Sequence, residues 1–173
     1  MKRIVFFLLA AATLPAIASS TAPASGQDDG QAVPIFAIKI YPGYRDWRLI
    51  SVAHEEGNLN DLRAVLGNGP ATRAFRKDQR PFPDGTILVR LAWRYEASAQ
   101  NDATFGQHQS FVAGDPTNVQ VMVKNAKRYA RTGGWGFAQF NDGKPVEAKA
   151  LTACFSCHET VRARDFVFNL YAP

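Results

Sequence analysis

Both cysteines of this 173-residue chain fall in one five-residue window near its C-terminus, Cys154-Phe155-Ser156-Cys157-His158. The spacing is C-x-x-C-H, the attachment pattern of a c-type haem. The chemistry demands that spacing. Two thiols must each add to one of two vinyl groups that lie along one porphyrin edge, and two intervening residues let a single turn of chain span it. The histidine that follows offers its Nε2 to the iron as proximal ligand. Three other readings compete. A structural disulfide uses both cysteines and suits an exported protein. A thiol–disulfide redox pair of the thioredoxin type uses C-x-x-C between a strand and a helix of a parallel βαβ unit, an alternation this sequence does not show. Zinc needs two further ligands, and His54, His108 and His158 are the only histidines. Exact spacing, an adjacent histidine, an export signal and no other cysteine all favour one covalent haem c, with Cys154 and Cys157 in thioether bonds and His158 on the iron.

The export signal is "MKRIVFFLLAAATLPAIASS". Lys2 and Arg3 form a basic start. Ile4 to Leu14 form an apolar run too short to span a bilayer, and Ala16-Ile17-Ala18 is an A-x-A cleavage pattern. An uncleaved membrane anchor is the alternative. Residues 1–18 read as a signal peptide, which makes the mature protein periplasmic or otherwise exported. Covalent haem attachment, which takes place outside the cytoplasm, agrees with that address. Removing the segment deletes two positive charges and lowers the formal charge from +5 to +3. Neither that value nor any basic stripe with interleaved aromatics points to nucleic acid. Residues 19–34, rich in small, polar, Gly and Pro residues, read as a flexible leader, and the folded domain spans 35–173.

Within that domain the pattern is α+β, mainly an antiparallel sheet with a few packed helices and the attachment motif near the C-terminus. Pro42-Gly43 marks a turn, and Trp47 to Val52 reads as a strand. "LRAVLGNG" fits a strand or a helix end closed by glycine. "GPATRAFRKDQ" predicts a short helix from about Ala71. "DGTILVRLAW" gives the strongest strand: after the Asp84-Gly85 turn, Ile87, Val89, Leu91 and Trp93 alternate with Leu88, Arg90, Ala92 and Arg94. "DPTNVQVMVKNAKRYARTGG" predicts a helix, with Asp115 or Thr117 as cap, apolar residues at Val119, Met122, Val123 and Ala126, and Gly133 as stop. "WGFAQFNDG" predicts a strand that ends in a turn. The sheet argues against a helical bundle as the haem scaffold.

Four segments in order, "YRDWRLISVA", "FPDGTILVRLAW", "VMVKNAKRYARTGGWGFAQF" and "ACFSCHETVRARDFVFNLYAP", resemble the cytochrome P-460 family, which includes the β-sheet cytochromes c′ of the c′-beta type. The resemblance runs from about residue 36 to 173. It implies one c-type haem per chain, a histidine proximal ligand, a homodimer and a distal face often left without a protein ligand. It also implies a departure. Family members that oxidise hydroxylamine carry a lysine bonded to the haem edge after the "DGT-x-x-V" run, and here Arg90 stands at that position. Arginine stays protonated and cannot serve as the same amine nucleophile. Arg90 is then either a surface strand residue or a guanidinium beside a haem propionate or a bound anion.

The remaining candidates are weaker. Met122 is a possible sixth ligand, but its helical spacing with Val119, Val123 and Ala126 favours core packing. His108 and His54 read as loop residues, with His108 the possible distal ligand or hydrogen-bond donor. Phe75, Phe82, Trp93, Phe105 and Phe111 read as core, with one or two free to line an apolar distal pocket, and Trp135 reads as packing. Three function classes follow: an open-site haem protein that binds nitric oxide or a similar small molecule, an oxidoreductase on hydroxylamine or another small nitrogen compound, and a six-coordinate electron carrier with its own redox partner.

Overall fold

A computed structural model describes residues 38–172. The signal peptide, the leader and the first residues of the expected domain lie outside the described residues. The centre of the fold is a six-stranded antiparallel sheet with strands in sequential order, so every connection joins neighbours. The strands are β1 (Arg48–Glu55), β2 (Asp61–Gly67), β3 (Ile87–Ala97), β4 (Phe111–Lys124), β5 (Trp135–Asn141) and the short β6 (Lys144–Pro145). Helices α1 (Gly69–Arg76) and α2 (Ala99–Phe105) interrupt them, and α3 (Ala148–Glu159) follows the last strand. The expected α+β class is the class found. "LRAVLGNG", open between two readings, is strand β2. Helix α1 begins as the sequence suggests. Pro70 stands in its first turn, and the Asn68 side chain caps it by accepting from the Ala71 N–H at 3.1 Å. The β5–β6 turn has positive φ at both Asp142 and Gly143, which suits a tight hairpin.

The expected helix after Asp115 is overturned. The segment from Asp115 onward is no helix: it runs as strand through Lys124, and only Ala130–Thr132 forms a 3₁₀ turn before Gly133. The helical spacing of Val119, Met122 and Val123 competes with a period of two, Val119-Gln120-Val121-Met122-Val123, whose β-branched members suit a pleated surface. Tertiary context decides. Strand β3 is paired with β2 along one edge, and β4 supplies partners for the other edge, from Ile87↔Val123 to Ala97↔Phe111. Without β4 those backbone groups would be buried and unpaired. Gly133 does act as a stop, in the left-handed region at φ 66°.

The sheet separates two apolar layers. On one face Leu66, Val89, Leu91, Val121, Ala138 and Phe140 pack beneath Ile38, Tyr129 and the segment holding Ile40, Tyr41, Tyr44 and Trp47. On the other, Val65, Leu88 and Phe137 pack with Ile50, Phe75, Phe82, Trp135, Phe166 and Val167, and α1, α3 and the C-terminal segment contribute to that layer. Phe75 and Phe82 are core as expected, and Trp135 is fully buried. Phe105 and Phe111 are not core: they are 59% and 41% exposed. Their hairpin extends past its neighbours, because β2 pairs with β3 only as far as Arg94 and β5 pairs with β4 only from Val119. Phe111 stacks on Tyr95 at 4.4 Å, which stacks on His54 at 3.8 Å. Among the described residues no helix is long and apolar enough to cross a membrane.

Candidate functional site

Helix α3 carries the C-x-x-C-H window and lies on β5. Cys154 and Cys157 are three residues apart and so share a helix face. Neither is in a disulfide. Cys154 is half-buried and packs with Phe155 against the core layer, while Cys157 is exposed. Burial pushes the Cys154 thiol up, and the neighbouring Cys157 adds to the shift. It therefore stays a protonated thiol at neutral pH.

His158 is oriented by one hydrogen bond. Its Nδ1 lies 2.7 Å from the Phe166 carbonyl oxygen. A carbonyl only accepts, so Nδ1 carries the proton and Nε2 carries the lone pair. Burial pushes the imidazole pKa down, and the bond to Phe166 opposes the shift without cancelling it. The ring is thus neutral at neutral pH, in the tautomer a metal requires. Phe137 and Phe168 flank it, each with ring centroids at 5.1 Å.

The Phe166 carbonyl reaches His158 because the chain reverses just after α3. A 3₁₀ turn at Arg162–Arg164 leads to two residues in the left-handed region, Asp165 at φ 53° and Phe166 at φ 63°. Such values are uncommon outside glycine and for a bulky residue need support from the surroundings. The Asp165 carboxylate accepts from the Phe82 N–H at 2.7 Å and from Lys124 Nζ at 2.6 Å. Lys124 is itself buried at the end of β4, where it also donates to the Gly133 carbonyl at 3.1 Å. The Phe166 ring lies so close over Gly133 that any Cβ there would fall 2.1 Å from a ring carbon.

Between α3 and the sheet is a cleft of about 60 Å³, lined by Val65, Leu88, Arg90, Gln120, Met122, Phe137, Cys154, His158 and Asn169 among others. The lining follows from register. Leu88, Met122 and Phe137 occupy one cross-strand row, and Val65, Arg90 and Gln120 the next. Side chains at those positions share a face. Asn169 is tied to β1 by donating to Ser51 Oγ at 2.8 Å. Arg90 is no solvated surface residue. It donates to Asp61 Oδ2 at 2.5 Å and to Asn118 Oδ1 at 2.9 Å, and its buried Nε has no partner. Burial and then Arg63 push its pKa down, with Asp61 opposing. Asp61 also binds Arg63, which reaches Glu55 at 3.2 Å.

Four sequence candidates therefore meet in this cleft: Arg90, Met122, Cys154 and His158. Met122 arrives there as a strand residue, not on the helix expected for it. His54 and His108 do not line the cleft; they are exposed and bonded to Asn60 and Asp102. The aromatic ring that does line it is Phe137, not any of the five phenylalanine and tryptophan candidates. Sequence reasoning missed Gln120, Asn169, Asp61, Lys124 and Asp165. Only Gln120 had a local signal, since strand alternation puts it beside Met122 and opposite Arg90.

This set of groups fits an iron porphyrin. Two thiols share a helix face, a neutral imidazole has a free Nε2, apolar side chains floor the cleft, and the Arg90 guanidinium in its lining has a buried Nε–H without a partner. The cleft's volume of about 60 Å³ is well below the roughly 300–1,000 Å³ of closed small-molecule pockets, so the cleft does not by itself enclose a macrocycle. Zinc lacks a ligand set: among the described residues no group of three or more His, Cys, Asp or Glu is placed to hold a metal ion. No curated protein matches the chain. Residues 41–169 match the family model for Cytochrome P460. That span takes in the sheet from β1 to β6 and the whole of α3. The chain accordingly belongs to the cytochrome P460 family, a membership that implies haem binding.

Proposed function

We propose that the protein is an exported mono-haem c-type cytochrome whose iron has an open distal side and binds nitric oxide or a similar small molecule. Cys154 and Cys157 hold the haem covalently, and His158 is its proximal ligand. The observation that carries this reading is the 2.7 Å contact from His158 Nδ1 to the Phe166 carbonyl, which leaves Nε2 free beside two thiols on one helix face. The haem supplies ligand binding at iron and one-electron chemistry. The protein fixes the imidazole, keeps it neutral and lines the cleft with apolar side chains. Family resemblance supports a homodimer. The test is the visible spectrum of the purified protein, which should be that of five-coordinate high-spin ferrous haem with prompt binding of carbon monoxide or nitric oxide.

Among the described residues lining the cleft, Met122 is the one further side chain able to ligate iron. It packs against the layer that also holds Cys154 and Phe155. We expect the spectrum to be unchanged by Met122→Leu and by His108→Ala. A low-spin six-coordinate ferrous spectrum that either substitution converts to high spin would move the protein to the electron-carrier class.

Arg90 sets the reading apart from hydroxylamine oxidation. Both its terminal nitrogens are engaged by Asp61 and Asn118, and a guanidinium does not form the amine cross-link. Proteolysis of the denatured protein should yield one haem peptide, containing residues 154–158, and hydroxylamine turnover should be weak or absent. Recovery of a second haem-linked peptide containing Arg90, or robust turnover from haem carried by the 154–158 peptide alone, would refute the assignment.

A further inference from the structure

We infer that the buried Lys124–Asp165 ion pair is a positioning device for His158, acting through the Phe166 carbonyl. This rests on the reading of His158 as the iron ligand. The connection is short and continuous. Lys124, at the end of β4, binds Asp165 at 2.6 Å; Asp165 binds the Phe82 backbone at 2.7 Å; the next residue, Phe166, accepts the His158 Nδ1–H at 2.7 Å. Both oxygens of Asp165 are thus spent on separate parts of the chain, the Phe82 backbone and the end of β4.

A purely structural pair would join the turn to the sheet and do nothing more. Three details argue for a tighter role. Asp165 and Phe166 both stand in the left-handed region, so the direction of the Phe166 carbonyl depends on contacts that hold the turn. The Phe166 ring occupies the space over Gly133, and Lys124 donates to that same glycine's carbonyl. The ion pair and the ring therefore fix one backbone unit from two sides. The carbonyl so fixed is the partner of Nδ1–H, and a partner on that nitrogen sets ring orientation and raises the basicity of the ligating nitrogen. Arg90 takes no part in this connection.

Loosening the turn should weaken the Nδ1–H bond and make Nε2 a poorer donor. The holo-protein tests this with three variants. Asp165→Ala removes every contact. Lys124→Met/Asp165→Asn removes both charges together, so no lone buried charge remains; its amide still accepts from the Phe82 N–H, and asparagine tolerates the left-handed region. His158→Ala removes the ligand itself. We expect the iron–histidine stretching band in resonance Raman to fall in frequency and the midpoint potential to rise. Asp165→Ala should show the larger change and the double variant a partial return towards the unsubstituted protein. Displacement of His158 by added imidazole should become about tenfold easier in Asp165→Ala, the lower end of what loss of such a partner costs in ligand affinity. If Asp165→Ala does not fold, the neutral double variant carries the test. An unmoved band and potential in a folded variant overturn the positioning role. A band that survives His158→Ala overturns the ligand reading, and the inference with it.

Discussion

Acid–acetone is expected to strip all haem from the Cys154→Ala/Cys157→Ala variant and none from the unsubstituted protein. Two thioether bonds are covalent, so extraction reads attachment as all or none. The two cysteines differ in what else their loss does. Cys154 packs against the layer that holds Phe75, Phe166 and Val167, together with Phe155 and Tyr171, whereas Cys157 is exposed. Cys157→Ala should keep haem through one bond and shift the pyridine spectrum. Cys154→Ala should give the same spectral shift and a measurable loss of packing. His158→Ala should keep haem on the polypeptide while its ligation changes. Attachment and coordination are thereby read independently, and haem that extracts freely from the unsubstituted protein would end the covalent reading.

The parts of this fold that were legible in the sequence are those where local pattern and tertiary demand agree. Ile87 to Trp93 alternate cleanly and become the central strand β3, buried on both faces. Pro70 after a glycine, followed by helix formers, announces a short helix, and α1 starts there. The C-x-x-C-H window declares its chemistry by spacing alone. Legibility failed at Val119–Val123, where a period near 3.6 and a period of two fit the same five letters. What separated them was the open edge of β3, which no local window contains. It failed again for the ring candidates, because exposure of Phe105 and Phe111 depends on where β2 and β5 end. The sequence-based picture of the cleft was incomplete for a similar reason. Asp61, Lys124 and Asp165 lie far apart in the chain, and nothing near Asp165 announces a left-handed turn at an aspartate and a phenylalanine. Arg90 was singled out through the family pattern, and the side chain that a surface strand would leave solvated is instead held by Asp61 and Asn118 at the cleft.

That holding makes Asp61 the residue whose loss should hurt stability most among the polar groups around the site. Its side chain is 4% exposed and accepts from Arg63 Nε at 2.9 Å, Arg63 NH2 at 2.7 Å and Arg90 NH2 at 2.5 Å. The two arginines are each 15% exposed. Asp61→Ala leaves two like charges side by side with less than they need: Glu55, half exposed, for Arg63, and the neutral Asn118 for Arg90. Removing one partner of a buried ion pair costs about 3–5 kcal/mol, because the survivor stays desolvated without compensation. Arg90→Leu is the milder lesion. Asp61 then still has Arg63 bound through two nitrogens, and the loss is the charge-assisted bond to Asp61, about 1.5–3 kcal/mol, together with the bond to Asn118, partly returned by an apolar side chain at the cleft wall. The double variant Asp61→Ala/Arg90→Leu removes the worse of the two stranded charges together with its partner. It should therefore be more stable than Asp61→Ala alone, a non-additivity expected for residues in direct contact. Urea denaturation of the holo-protein, followed by tryptophan fluorescence, measures all three. A double variant that unfolds earlier than Asp61→Ala would mean that Arg90 stabilises the cleft by itself, through its bond to Asn118 or its packing, and not through the carboxylate it shares with Arg63.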